Sequence, residues 1–263
     1  MVAGMALWII GIALAVYAAA ILAAYALQSR LIYPVPPLRQ DVPGGFEQVA
    51  YETDDGLVLR AGYRRANGDR PTLLFFHGNG ASWQSTAFVT QVLAGQGYGV
   101  LAAEYRGYNG NAGTPSEQGL YADGRAAYAF LRDAGLSAQD IVLVGNSIGS
   151  GVATHLATER EARALVLISP FDSLEETASR NMRWLPVRQL LRDRYDNSGK
   201  FPHLTMPILV LHGEDDALIA LDQAQALATA HPKTKLVTYP GWGHDLVVHE
   251  AVQDDIAAFL DSL

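Results

Sequence analysis

Ile141-Val-Leu-Val-Gly-Asn-Ser-Ile-Gly-Ser-Gly151 runs from a short apolar segment into a serine flanked by glycines, and a helical pattern resumes beyond it. Four apolar residues are too few for a helix, so the segment reads as a strand, a tight turn and the start of a helix. Within the turn, Gly145-x-Ser147-x-Gly149 is the pattern in which small neighbours let a sharply bent backbone lift a serine hydroxyl clear of the sheet edge. Ser147 is therefore a candidate nucleophile. In a chain with 25 glycines a five-residue string is weak by itself, and its partners have to be found elsewhere.

Outward from this stretch the same alternation continues. Thr72-Leu-Leu-Phe-Phe76 ends in His77-Gly-Asn-Gly80, and Gly97-Tyr-Gly-Val-Leu-Ala-Ala103 ends in Glu104-Tyr-Arg-Gly-Tyr108. Both are short buried strands running into loops, with helical periodicity over 82–93 and 116–131. Residues 164–168, 207–211 and 235–239 repeat the strand pattern, followed by helices near 221–230 and 247–260. Phe46 to Thr53 and Leu57 to Arg64 alternate around Asp54-Asp-Gly56 as a β-hairpin does. Strands alternating with helices predict an α/β fold with a mostly parallel central sheet and helices on both faces. Residues 171–204 interrupt the alternation and are expected to form a small cap.

The first 29 residues carry no charged side chain. About 20 helical residues at ~1.5 Å each match a hydrocarbon core of roughly 30 Å, so residues 1–29 are expected to form a transmembrane helix. A cleaved signal peptide is the rival reading, since the alanine-rich end offers small-residue cleavage options. Arg30 and Arg39 follow the span, which by the positive-inside rule puts the remainder on the cytoplasmic side of a membrane. Pro34, Pro36, Pro37 and Pro43 make residues 30–45 a stiff connector, leaving 46–263 as one catalytic domain.

Net charge is −8 with no Lys/Arg-rich tract, which argues against a nucleic-acid partner. With no cysteine there is no thiol nucleophile, disulfide or thiolate metal site. The histidines and carboxylates lack metal-ligand spacing, so neither metal nor cofactor is expected.

A serine hydroxyl needs an imidazole to take its proton, and that imidazole needs a carboxylate to fix its tautomer. In open α/β sheets reactive loops gather beyond the carboxyl ends of the strands. Two such loops, His212-Gly-Glu-Asp-Asp216 and Gly241-Trp-Gly-His244, supply the partners. Ser147, Asp216 and His244 then occur in the order serine, acid, histidine. Asp172, after an earlier strand, is the alternative acid. His77 and His212 read as structural histidines that steady their loops.

From about Arg30 to the C-terminus the chain resembles the α/β-hydrolase superfamily, and more closely its membrane-anchored serine-hydrolase branch related to the animal protein depalmitoylases. The resemblance rests on the elbow together with Phe76-His-Gly-Asn-Gly80, Glu104-Tyr-Arg-Gly-Tyr108, Gly113-Thr-Pro-Ser-Glu117, Ser169-Pro-Phe171 and His212-Gly-Glu-Asp-Asp216. It implies that Asp216, the fifth residue of its string, is the catalytic acid. It also implies an oxyanion hole made by the backbone N–H groups of Ile148 and Asn79, with Gly80 as the alternative donor. Asn109 stands where that branch commonly has a glycine, and the N-terminal cysteine cluster of the animal enzymes is missing. The expected activity is cleavage of a carboxylic ester or thioester through an acyl-enzyme, the substrate being a small-molecule or lipid acyl compound or an acylated protein. A serine peptidase and a catalytically silent membrane scaffold are the alternatives.

Overall fold

A computed structural model describes residues 2–37, 41–42 and 44–263; Arg39 and Pro43 of the expected connector lie outside the described residues. The chain begins with helix α1, Val2–Ile32, which runs past Ser29 and Arg30 before Pro34 prevents its continuation. Strands β1 (Glu47–Glu52) and β2 (Val58–Arg64) form the expected antiparallel hairpin.

The remaining strands are β3 (Thr72–Phe76), β4 (Gly99–Ala103), β5 (Ile141–Asn146), β6 (Ala164–Ile168), β7 (Ile208–Gly213) and β8 (Thr234–Tyr239). Among the described residues they build one sheet in the order β1-β2-β4-β3-β5-β6-β7-β8, parallel from β4 onward. β5, which carries the elbow, is therefore central, with β3 and β6 on either side. Consecutive strand residues point to opposite faces. Leu74, Phe76, Leu143 and Leu165 enter one core, while Leu73, Phe75, Val142 and Val166 enter the other. Burial on both faces explains why these strands read as continuous apolar runs rather than alternating ones.

Helices α2 (Trp83–Val89), α3 (Gln91–Gly95), α4 (Glu117–Asp133), α5 (Ile148–Glu159), α8 (Leu221–Ala230) and α9 (Glu250–Asp261) cover the sheet. The helix expected over 82–93 is broken at Thr90, whose hydroxyl donates back to the Thr86 carbonyl at 2.9 Å. A β-branched residue with a competing hydroxyl interrupts the helical ladder there. The helix expected over 116–131 begins with Ser116 as its N-cap, the side chain accepting the Gly119 amide. The expected helix at 247 starts at Glu250, because residues 246–248 form a 3-10 turn that follows His244. Residues 171–204, the expected cap, contain α6 (Leu174–Asn181) and α7 (Val187–Leu190) and no strand.

Candidate active site

Ser147 sits between β5 and α5 with φ 51° and ψ −118°, a conformation that is costly for a residue with a side chain. The flanking glycines make the bend possible. A Cβ on Gly145 would lie 2.5 Å from the Gly149 carbonyl oxygen, and one on Gly149 would lie 2.1 Å from that of Phe76. No larger residue fits at either position without moving backbone.

Asp216 and His244 follow β7 and β8 and reach the elbow from the same sheet edge. His244 Nδ1 lies 2.8 Å from Asp216 Oδ2, and His244 Nε2 lies 2.9 Å from Ser147 Oγ. The other carboxylate oxygen of Asp216 accepts the amides of Leu218 (2.9 Å) and Ile219 (2.8 Å). Burial pushes this carboxyl's pKa up, but the His244 bond and the two amides outweigh burial and hold it below the ordinary aspartate value. Asp216 is thus a fully buried anion, which keeps the proton on Nδ1 and leaves Nε2 free to accept from the serine. Asp172, the alternative acid, instead accepts the amide of Ser173 at the start of the cap.

Several supporting residues had no assigned role. Ser169 donates its hydroxyl to the His244 carbonyl at 3.0 Å and adopts φ 47° to do so. Trp242 lies between Tyr239 and His249, with centroids at 4.8 and 4.1 Å, and its carbonyl accepts the Asp215 amide at 2.9 Å. These contacts join the histidine loop to the acid loop. The sequence signal was Gly213 and Trp242 themselves: a Cβ on Gly213 would lie 2.3 Å from the Trp242 carbonyl oxygen.

The loop after β3 is held by a buried pair. His77 Nε2 lies 2.6 Å from Glu104 Oε1, and Nδ1 donates to the Gly78 carbonyl at 2.8 Å. Glu104 also accepts the amides of Trp83 and Tyr105, and Tyr105 donates its hydroxyl to the His77 carbonyl. His77 therefore steadies the glycine loop, as expected. His212 does likewise for the acid loop by donating Nε2–H to the Ile219 carbonyl. Gly80 gives its amide to the Pro34 carbonyl at 3.2 Å, so the connector ties down this loop and engages the alternative oxyanion donor. Ile148 opens α5, where an N–H has no partner within the helix. Asn109 takes φ 47°, a left-handed conformation that asparagine tolerates better than most residues, and donates to Gln84.

Among the arginines of residues 171–204, Arg180 pairs with Glu176 and Asp222, Arg188 with Glu175 and Glu176, and Arg194 with Glu175.

The pattern of the alpha/beta hydrolase family matches residues 73–203, and that of TAP-like proteins matches residues 184–263. The chain belongs to the alpha/beta hydrolase family. This alpha/beta hydrolase is 38% identical over 270 residues to an uncharacterized protein of Mycobacterium tuberculosis, covering 97% of this chain and 95% of that one. It is 32% identical over 185 residues to alpha/beta hydrolase domain-containing protein 17C of Mus musculus, covering 69% of this chain and 57% of the relative. An esterase of Pyrococcus furiosus shares the fold with a TM-score of 0.74 at 21% identity, over 88% of this hydrolase and 99% of the esterase.

Proposed function

We propose that this chain is a membrane-anchored serine hydrolase that cleaves a carboxylic ester or thioester of an acyl lipid or acylated protein through an acyl-enzyme. The observation that carries the reading is the unbroken hydrogen-bond chain Asp216–His244–Ser147 at an elbow that nothing larger than glycine can flank. Ser147 Oγ attacks the carbonyl carbon while its proton passes to His244 Nε2. The resulting oxyanion is received by the N–H groups of Asn79 and Ile148, each contributing roughly 3 kcal/mol. Collapse expels the alcohol or thiol, which takes the proton from His244. Water then attacks the acyl-serine with His244 again as base, releasing the carboxylic acid and restoring Ser147.

Anchoring rests on α1, which is long and apolar enough from Gly4 to Ile32 to cross a membrane. Its bonds to the cap, from Tyr17 to Trp184 and from Gln28 to Leu190, favour a retained anchor over a cleaved signal. Arg30 in the last turn of α1, at the end nearest the domain, favours a cytoplasmic catalytic domain. The resemblance to the depalmitoylase branch supports an acyl thioester or ester as the substrate.

Treating the full chain in detergent with a fluorophosphonate probe tests the reading. Labelling is expected in the wild type and absent in Ser147→Ala. A folded wild type that takes no label points to a silent scaffold, and labelled enzyme that releases only amines from peptides points to a peptidase.

A further inference from the structure

The end of α1 is part of the domain's surface rather than a free stalk. Tyr17 donates its hydroxyl to the Trp184 carbonyl at 2.8 Å. Gln28 is buried, donating to Leu190 and accepting the Arg192 amide. The Arg192 guanidinium lies 4.6 Å from the centre of the Tyr25 ring, and Tyr33 donates to Asp193. One side of the helix from Tyr17 to Tyr33 is therefore in contact with the cap.

This contact constrains the position of the bilayer. From Val2 to Val16 the helix rises about 22 Å, short of the roughly 30 Å hydrocarbon thickness. A spanning α1 must therefore carry the level of Tyr17, and with it the edge of the cap, into the membrane. That edge carries Met182 and Trp184, and beside it stands Leu218 of the acid loop, whose carbonyl accepts from Asn181; the three are 41%, 59% and 51% exposed. Exposed apolar residues with a tryptophan suit an interfacial position.

Between α1 and the cap lies a cavity of about 230 Å³. Leu31 and Ile32 line it from the helix, Ala178, Met182 and Leu185 from the cap, and Asn79 from the loop proposed to hold the oxyanion. Apolar side chains dominate its lining, with Gln28, Thr177 and Asn181 as polar exceptions, and Asn79 is where it meets the loop proposed to hold the oxyanion. A second cavity, of about 490 Å³, lies on the other side of the Asn79 loop. Its lining mixes apolar residues such as Phe75, Val89 and Val247 with Ser82, Ser85, Thr86 and Asn146, and the hydroxyls and amide of the latter make it a poorer host for an alkyl tail.

We infer that the cavity between α1 and the cap is the acyl-chain site, that the anchor helix is one of its walls, and that the chain enters sideways from the bilayer. The inference rests on the proposed hydrolase activity, which would place the acyl carbonyl at Asn79 and the tail toward Met182. Lateral entry spares the tail a passage through water, which is disfavoured roughly fourfold per methylene.

The test uses the full chain in phosphatidylcholine nanodiscs. Ala178→Trp narrows the cavity from the cap, and Ala24→Trp, on the helix surface outside the folded core, narrows it from α1. In both, the ratio of kcat/KM for a p-nitrophenyl dodecanoate to that for the acetate should fall about tenfold or more, because a blocked pocket penalises each displaced methylene. In parallel, Ser147→Ala protein is irradiated with a fatty acid bearing a diazirine near its tail. Label is expected in cap residues 174–191 and should be lost when Ala178→Trp is added. A chain-length ratio unchanged in both variants, or cap label that persists when Ala178→Trp is added, as bulk lipid at Met182 and Trp184 would leave it, overturns the site while leaving the hydrolase reading intact. Cap labelling in a protein that hydrolyses no ester supports the site and overturns the hydrolase reading instead. When S-acyl peptide is added to the nanodiscs, release of peptide thiol or of lysophospholipid identifies the source of the chain, and either product supports the site.

Discussion

Asp216→Asn separates the orienting role of the carboxylate from its place in the fold. One carboxylate oxygen accepts two backbone amides, from Leu218 and Ile219, while the other faces His244 Nδ1 at 2.8 Å. In the variant the amide oxygen has to stay with the two N–H donors, since an NH2 group pointed at them would be repelled. The introduced NH2 then faces His244 and donates to Nδ1, which moves the imidazole proton to Nε2. That nitrogen, 2.9 Å from Ser147 Oγ, can no longer accept the serine proton. A wrong tautomer at this position costs about 10⁴-fold in turnover, or roughly 5 kcal/mol of barrier. The two retained amide bonds limit the stability loss to about 1–3 kcal/mol, that of one charge-assisted hydrogen bond. The assay is kcat/KM on a p-nitrophenyl ester with the rate of fluorophosphonate labelling, and a urea titration to show the variant is folded. Activity within tenfold of the wild type, or an equal loss in Asp172→Asn, refutes the assignment.

Three further outcomes are expected. Gly149→Ala drives a Cβ against the Phe76 and His77 carbonyls, so it should lower stability by about 1–3 kcal/mol or more and abolish labelling, read by melting temperature and probe; a normally stable, active variant would remove the argument for glycine at the elbow. Glu104→Ala leaves the buried His77 ring and the Trp83 amide without their acceptor, which should cost about 1–3 kcal/mol for each in a urea titration, and a loss under about 1 kcal/mol in all would show that the contact does not hold the loop. Burial pushes the pKa of His212 below the ordinary histidine value, only partly opposed by its bond to the Ile219 carbonyl. The unfolded chain therefore binds this proton first, and the stability owed to a neutral His212 is complete above about pH 6.5 and declines as the pH falls below it. In His212→Gln, which can still donate to Ile219, the fall in urea midpoint from about pH 8 to about pH 5.5 should be smaller than in the wild type; an identical fall refutes the claim.

Most of the sheet was legible because its signals are local. β3, β5 and β6 bury both faces, and a run such as Leu73 to Phe76 can satisfy that requirement only as a short strand. Element ends were less legible. Thr90 breaks a helix through its own hydroxyl, and α9 starts late because the chain first has to turn after His244. The roles of Ser169, Trp242 and Glu104 were not legible, since each acts through a partner remote in sequence. Ser169, for example, bonds a residue 75 positions away.

The Gly145–Gly149 string by itself determined that a serine would stand on a bent turn between a strand and a helix, because the steric demand that excludes a Cβ there is a property of the local backbone. The apolar, uncharged first 29 residues likewise determined a helix long enough to cross a bilayer. Only the tertiary structure decided that His244, 97 residues from Ser147, would meet it, and that Pro34 would engage the Gly80 amide. It alone set the end of α1 against the cap, more than 160 residues away in the chain. The physical reason is the same throughout: short-range sterics and periodicity act within a few residues, whereas hydrogen bonds and cavities depend on which loops the sheet order brings to one edge.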